Sequence, residues 1–186
     1  EIQNPITKNT CACFEPSLDY VVVKFPRWPF DKFQGANKKL GTQMMATGET
    51  MAIGSNFEEA LLKGIRSLEI KREHLLMESA LGLSKEELMR MISKQDDDRI
   101  FYIAHAIREQ ATLKEIHDLT KIDLWFLNKI HNIIKIEEEI RNSDIGFETL
   151  KRAKNKGFSD SAIAFLKDVP TSLVEDARKR FGIQPV

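Results

Sequence analysis

Residues 18–25, LDYVVVKF, constrain the fold more than any other stretch of the chain. Three consecutive valines, Val21 to Val23, stand between Tyr20 and Phe25. Such β-branched and aromatic side chains suit a pleated strand, and Pro26, with no N–H to give a ladder, closes it. The spacing predicts a strand over Leu18 to Phe25. So little polar alternation reads as a strand covered on both faces. A second short strand is expected over Thr50 to Ile53, between Gly48 and Gly54. Two strands do not make a stable sheet alone, and no other stretch offers good partners. The sheet is therefore expected to be completed by polypeptide outside these 186 residues.

Composition changes near residue 56. The first 56 residues hold eight of the 15 glycines and prolines, while the remaining 130 carry 45 of the 56 charged side chains. Irregular and strand structure is expected to give way to helices. Ser55 and Glu58 have capping-box spacing, and Phe57, Ala60, Leu61, Gly64, Ile65 and Leu68 make one apolar helix face after them. The first unit is expected to end at about Glu69.

After Ile70 to Leu83, which carries no clear period, helix signals come in series. Ser84 with Glu87 and Thr112 with Glu115 repeat the box, and Leu83 and Leu88 are placed as a hydrophobic staple. Asp96 to Asp98 put negative charge at the start of a helix presenting Ile100, Phe101, Ile103, Ala104 and Ile107. Thr120 is expected to open the longest helix, which keeps its period to about Ile140. A helix from Phe147 should end near Gly157 in a left-handed turn, and Phe158 can staple to Ile163 around Ser159. The last helix should start after Pro170, capped by Ser172 and Glu175, and stop at Gly182. The fold class is mainly α: a unit of eight or so short helices after a short α+β segment.

Several function classes lose support. Twenty-eight basic and 28 acidic residues cancel, which argues against binding duplex DNA or anionic membrane by bulk charge. No apolar run approaches the ~20 residues of a membrane span. The start, EIQNPITKN, has neither the basic nor the apolar part of a signal peptide, and its lack of Met fits a fragment. Cys11 and Cys13, roughly 6.6 Å apart if extended, read as reduced thiols of a reducing compartment. The histidines at 74, 105, 117 and 131 show no HExxH spacing, so no metal site is expected. Gly35 to Thr42, GANKKLGT, lacks the order of a P-loop and reads as a tight loop against neighbouring structure. Residues 151–180 hold eight Lys or Arg against four acids in a helix–turn–helix layout, but cations at a helix C-terminus are favoured in any protein. Trp125, Phe126 and Leu127 cannot all face one core, because adjacent helical residues lie about 100° apart. One or two of them must pack on a neighbouring element or form a subunit contact, which makes Trp125 the candidate oligomer contact.

Both halves together resemble the large subunit of glutamine-hydrolysing carbamoyl phosphate synthetase. The matching residues are Phe14-Glu15-Pro16-Ser17, Asp19-Tyr20-Val21-Val22, Lys24, Pro26-Arg27, Lys32-Phe33 and Gly35-Ala36-Asn37, then Gly41-Thr42-Gln43-Met44 and Gly48 to Gly54. In the helical half they are Asp98 to Ala104, Ile122 to Leu127 and Lys156 to Asp160. The resemblance implies that residues 1–69 are the tail of the first ATP-grasp unit, which makes carboxyphosphate, and that residues 70–186 are a helical oligomerisation domain. It implies a cytoplasmic parent enzyme using ATP, magnesium or manganese, and potassium. That parent would work with a glutaminase small subunit or fused glutaminase domain and serve pyrimidine and arginine synthesis. No position matches the family's ExNPR-type motif, so no catalytic, cofactor-binding or metal-binding residue is assigned, and no cofactor is expected in this stretch. Gly35, Ala36 and Asn37 resemble a loop beside the family's ammonia tunnel. The expected partners are the glutaminase and further copies through the helical domain, with no nucleic acid and no membrane. The alternative reading is a free-standing helical interaction module that binds nucleic acid.

Overall fold

The computed structural model describes residues 2–13, 19–30, 32, 35 and 37–185. Strand β1 (Val21–Arg27) pairs antiparallel with β2 (Gly48–Gly54), with Val21 opposite Gly54 and Arg27 opposite Gly48. The valine-rich strand thus finds its partner within the chain. It also runs through Pro26, which stands opposite Glu49, rather than ending there. In a two-stranded sheet each strand is an edge, where a residue without an N–H is tolerated. Leu18, the expected first residue, lies outside the described residues together with Phe14 to Ser17.

Only one face of this hairpin is covered. Val23, Phe25 and Ala52 turn toward helix α1 (Phe57–Ser67), while Met51 and Ile53 remain 67% and 52% exposed beside Val22. Among the described residues nothing covers the second face, which the sequence assigns to polypeptide outside these 186 residues. The valine run nevertheless follows the period-2 rule of a strand packed on one side. α1 comes close because Gly64 has no side chain: a Cβ there would stand 2.6 Å from the Phe25 ring.

The cap of α1 is shifted by one residue from its expected place. Asn56 is the N-cap, its side chain accepting from the Glu59 N–H, and Glu59 reaches back to the backbone N–H and hydroxyl of Ser55. Glu58, read as the box acid, is fully buried instead.

The chain then bends through one 3-10 turn (Glu78–Ala80) into the helical body. This comprises α2 (Lys85–Ser93), α3 (Arg99–Arg108), α4 (Leu113–Thr120), α5 (Leu124–Asn142), α6 (Phe147–Asn155), α7 (Asp160–Lys167) and α8 (Thr171–Arg180). Both expected capping boxes, at Ser84 with Glu87 and Thr112 with Glu115, are formed. Gly157 adopts φ +89° after α6, and Ser159 caps α7 between buried Phe158 and Ile163. Two starts differ from expectation. Thr120 ends α4: its hydroxyl donates to the Ile116 carbonyl and accepts from the Ile122 N–H, and Asp123 caps α5 instead. At α8, Pro170 occupies the N-cap position and no side-chain cap is made, so the Ser172–Glu175 box is absent.

α3 forms the centre. Every residue from Phe101 to Ile107 is buried, as expected of a helix surrounded by others. It packs on α2 and α5, and α5 in turn touches α1, α4, α6 and α7. The core continues through Ile116, Leu127, Ile133, Ile140, Leu150 and Phe158.

Candidate assembly surface

Leu127 is fully buried, which turns its neighbours Trp125 and Phe126 outward, where they stay 50% and 44% exposed. They do not point into empty space. The Phe57 ring, at the start of α1, lies 5.3 Å from Trp125 and 5.5 Å from Phe126. Trp125 and Phe126 meet edge to face at 5.0 Å, and Lys129, one turn on, holds its ammonium 5.1 Å from the indole. The quadrupoles of the rings favour both geometries. The result is a fixed, half-covered aromatic patch with a cation on its rim. Rigid aromatic side chains of this kind give contact area at low entropy cost, a property of interface centres.

The patch borders an open groove of about 680 Å³ between the hairpin, α1, α3 and α5. Phe25, Trp28, Leu61, Ile100 and Ile130 supply apolar walls. At one end stand Asp96, Asp97 and Asp98. Asp98 pairs with Arg72 at 2.8 Å, and that guanidinium lies 4.0 Å from the Phe101 ring centroid. Burial and the repulsion of neighbouring carboxylates push Asp96 and Asp97 above the ordinary carboxylate range.

The other sequence-based candidates do not converge on this patch. Gly35 takes φ +79° and Gly41 an ordinary one, and both are open: a Cβ at either would meet nothing within 4 Å. Asn37 is exposed and accepts from the Lys39 N–H, while Ala36 lies outside the described residues. The loop touches the body at Leu40, whose N–H donates to the Gln95 carbonyl at 2.7 Å. It is therefore not packed at its glycines, contrary to expectation; Gly35 answers a backbone requirement rather than a steric one.

Histidine chemistry is directed inward. His105 Nε2 accepts the Met77 N–H at 3.0 Å, and His74 is buried against Phe165 with ring centroids 5.6 Å apart. Burial, then the nearby Arg108 charge, pushes both imidazoles down to about 4. Among the described residues no group of three or more His, Cys, Asp or Glu could hold a metal ion. Cys11 and Cys13 bring their Sγ atoms within 3.0 Å of each other. No helix of the described residues is long and apolar enough to cross a membrane.

The basic stretch 151–180 is largely consumed by the fold. Lys154 and Arg178 both bind Asp160 at 2.8 Å, Arg152 reaches Glu139, and Lys156 reaches Glu58. Lys167 donates to the carbonyls of Arg141 and Ser143. Five of its eight cations are thus engaged within the fold.

The sequence marks Trp125 as a candidate contact through its position beside Phe126 and Leu127. It does not mark Phe57 as their ring partner, because that contact joins elements far apart in the chain.

Known proteins place these features in context. Residues 49–182 match the family model described as carbamoyl-phosphate synthetase large chain, oligomerisation domain. Over 185 residues, all of this chain, it is 51% identical to the carbamoyl phosphate synthase large chain of Caldanaerobacter subterraneus subsp. tengcongensis. The corresponding large chains of Thermoanaerobacter sp. (strain X514) and Thermoanaerobacter pseudethanolicus are each 50% identical over the same span. The chain covers 17% of the length of each relative. By the family match over residues 49–182, the chain belongs to the carbamoyl-phosphate synthetase large chain family, within which it carries the oligomerisation domain.

Proposed function

We propose that this stretch is the assembly and spacing segment of an ATP-dependent C–N ligase. That ligase makes carbamoyl phosphate from bicarbonate, ATP and glutamine-derived ammonia in the cytoplasm. Its pathway role is pyrimidine and arginine synthesis. The observation that carries the reading is the identity of about half the residues with three large chains, running from end to end of this one. Residues 1–69 are assigned to the tail of the carboxyphosphate ATP-grasp unit, and residues 70–186 to the oligomerisation domain. The open hairpin face, with Met51 and Ile53 bare, supports the first assignment: apolar strand surface of this kind is ordinarily covered by more polypeptide. The half-covered Trp125–Phe126–Phe57 patch supports the second, with further copies of the chain as partner.

In this reading the segment contributes no catalytic residue. ATP, magnesium or manganese and potassium act elsewhere in the parent, and the glutaminase, as small subunit or fused domain, delivers ammonia along a path near Gly35 to Asn37. Two measurements test it. The full-length enzyme should form carbamoyl phosphate from glutamine, bicarbonate and ATP, whereas the 186-residue chain should not. Sedimentation velocity of the chain should show concentration-dependent association that Trp125→Ser weakens by about tenfold or more, as expected for loss of an aromatic anchor. Unchanged association of that variant would remove Trp125 from the interface.

A further inference from the structure

The turn after α6, Asn155 to Gly157, touches α1 at more points than its length suggests. The Asn56 side-chain amide, at the α1 N-cap, donates to the Asn155 carbonyl at 2.8 Å. Two residues further along α1, the buried Glu58 carboxylate has Lys156 Nζ 3.5 Å from Oε2 and Lys129 Nζ 3.7 Å from Oε1. Asn132 of α5 also donates to Oε1, at 2.9 Å. Near the far end of α1, Arg66 donates to the Gly157 carbonyl at 2.7 Å. Between these points the backbones nearly touch: a Cβ on Gly157 would stand 2.7 Å from Glu59 Cα and 3.0 Å from its carbonyl oxygen. Gly157 thus satisfies two demands at one place, the left-handed φ of +89° that ends α6 and the absence of a side chain against α1.

Glu58 is the informative member. A carboxylate with no exposure is costly unless its charge is met. Burial raises its pKa, but the Asn132 hydrogen bond, its own backbone N–H and the charges of Lys156 and Lys129 together outweigh burial and hold it below the usual range. Those side-chain partners come from α5 and from the 155–157 turn, so they reach the carboxylate only when α1 sits on the helical body. Oε2 accepts no hydrogen bond among the described residues and is met by the Lys156 charge at 3.5 Å. An apolar residue at 58 would also bury well there, but it would tolerate sliding. A charge answered by Asn132, Lys129 and Lys156 does not.

We infer that the Asn155–Gly157 turn, with Glu58 as its counterpart, is the positioning element that seats α1 on the helical body and so fixes where the β1–β2 hairpin stands. Among the described residues the hairpin has no other substantial support: its inner face rests on α1, and its outer face is open. The inference rests on the proposed division of the chain to the extent that the hairpin belongs to the synthetic unit. The helical body would then set the placement of that unit through one short turn. Residues 1–69 and 70–186 are in this view two assignments along one rigid joint, with no hinge at Glu69.

Hydrogen exchange of the 186-residue chain, followed by mass spectrometry, tests this without ATP or bicarbonate. Its failure is therefore separate from failure of the carbamoyl phosphate assay. Gly157→Ala should speed exchange in residues 48–67 by about tenfold or more, while residues 101–107 and 127–140 keep their protection. Lys156→Gln should act in the same place more weakly, and Lys156→Arg should restore protection. β2 contains none of the altered residues, so faster exchange there reports lost seating rather than a lost local contact. Should Gly157→Ala fail to fold, the two Lys156 variants decide alone. Unchanged exchange over 48–54 in the variants that fold, or equal acceleration in α3 and α5, would overturn the inference.

Discussion

Lowering the pH from 7.5 to 5.5 should destabilise the helical body, and the buried histidines set the magnitude. His74 and His105 are pushed down to about 4 from an ordinary value of 6.5, because burial and the Arg108 charge disfavour the imidazolium. In the unfolded chain both rings protonate as the pH falls through 6.5; in the folded chain they do not until about 4. The unfolded state therefore binds more protons across that window, and folding stability falls as pH falls. Each ring loses about 1.4 kcal/mol at pH 5.5 relative to pH 7.5, so the pair loses roughly 3 kcal/mol. His131, also pushed down by burial, adds in the same direction. Glu137, Asp96 and Asp97, raised by burial, titrate in the opposite sense nearer their own range and temper the loss at the acidic end. The depressed carboxylates, Glu58 and Asp160 among them, lose their contribution only below the ordinary carboxylate range, outside this window. Urea melts at both pH values, at fixed protein concentration, measure the difference. His74→Phe isolates one ring. His74 Nε2 has no hydrogen-bond partner among the described residues and the ring packs on Phe165, so phenylalanine should fit and halve the pH-dependent loss. A stability difference unaffected by the substitution, or absent in the parent chain, would refute the reasoning.

Two further outcomes follow from the core. Phe158 has no exposed surface, and Phe158→Ala should cost about 3–5 kcal/mol in a urea melt, through lost burial and a residual cavity. Arg108 donates to Glu137 at 2.6 and 3.0 Å and to the Leu75 carbonyl at 3.0 Å. Arg108→Met should cost about 3–5 kcal/mol by stranding a buried carboxylate, and adding Glu137→Gln should recover part of that loss.

What the sequence made legible was local. Ser84 with Glu87, Thr112 with Glu115, and Gly157 before Phe158 are decided within four or five residues, and each forms as read. Errors arose where two neighbouring residues could serve equally. Ser55 and Asn56 are both competent caps, and Asn56 also donates to Asn155, nearly a hundred residues away. Thr120 and Asp123 can each start α5, but the Thr120 hydroxyl is engaged by Ile116 and Ile122. The same limit governs the candidate site. Trp125 stood out because three large apolar side chains in succession cannot share a face. Glu58 stood out only as a capping-box acid, because a first-turn glutamate destined for burial is indistinguishable in sequence from the solvated acids that favour any helix N-terminus.

The two parts of the chain satisfy burial differently, and that difference explains why α1 matters more than its 11 residues suggest. The helical body surrounds α3 and covers Ile103, Ile116, Leu127 and Ile133 almost completely, so its stability comes from packing within itself. The hairpin cannot do this. A two-stranded sheet is marginal in water, and this one leaves an apolar face bare. Its order is therefore borrowed through α1, whose one side meets Phe25 across Gly64 and whose other side meets α5 and the 155–157 turn. A helix buried on two sides needs something other than hydrophobicity to set its register, since an apolar stripe tolerates sliding. The buried charge that α1 carries at Glu58, answered from α5 and from Lys156, supplies that register.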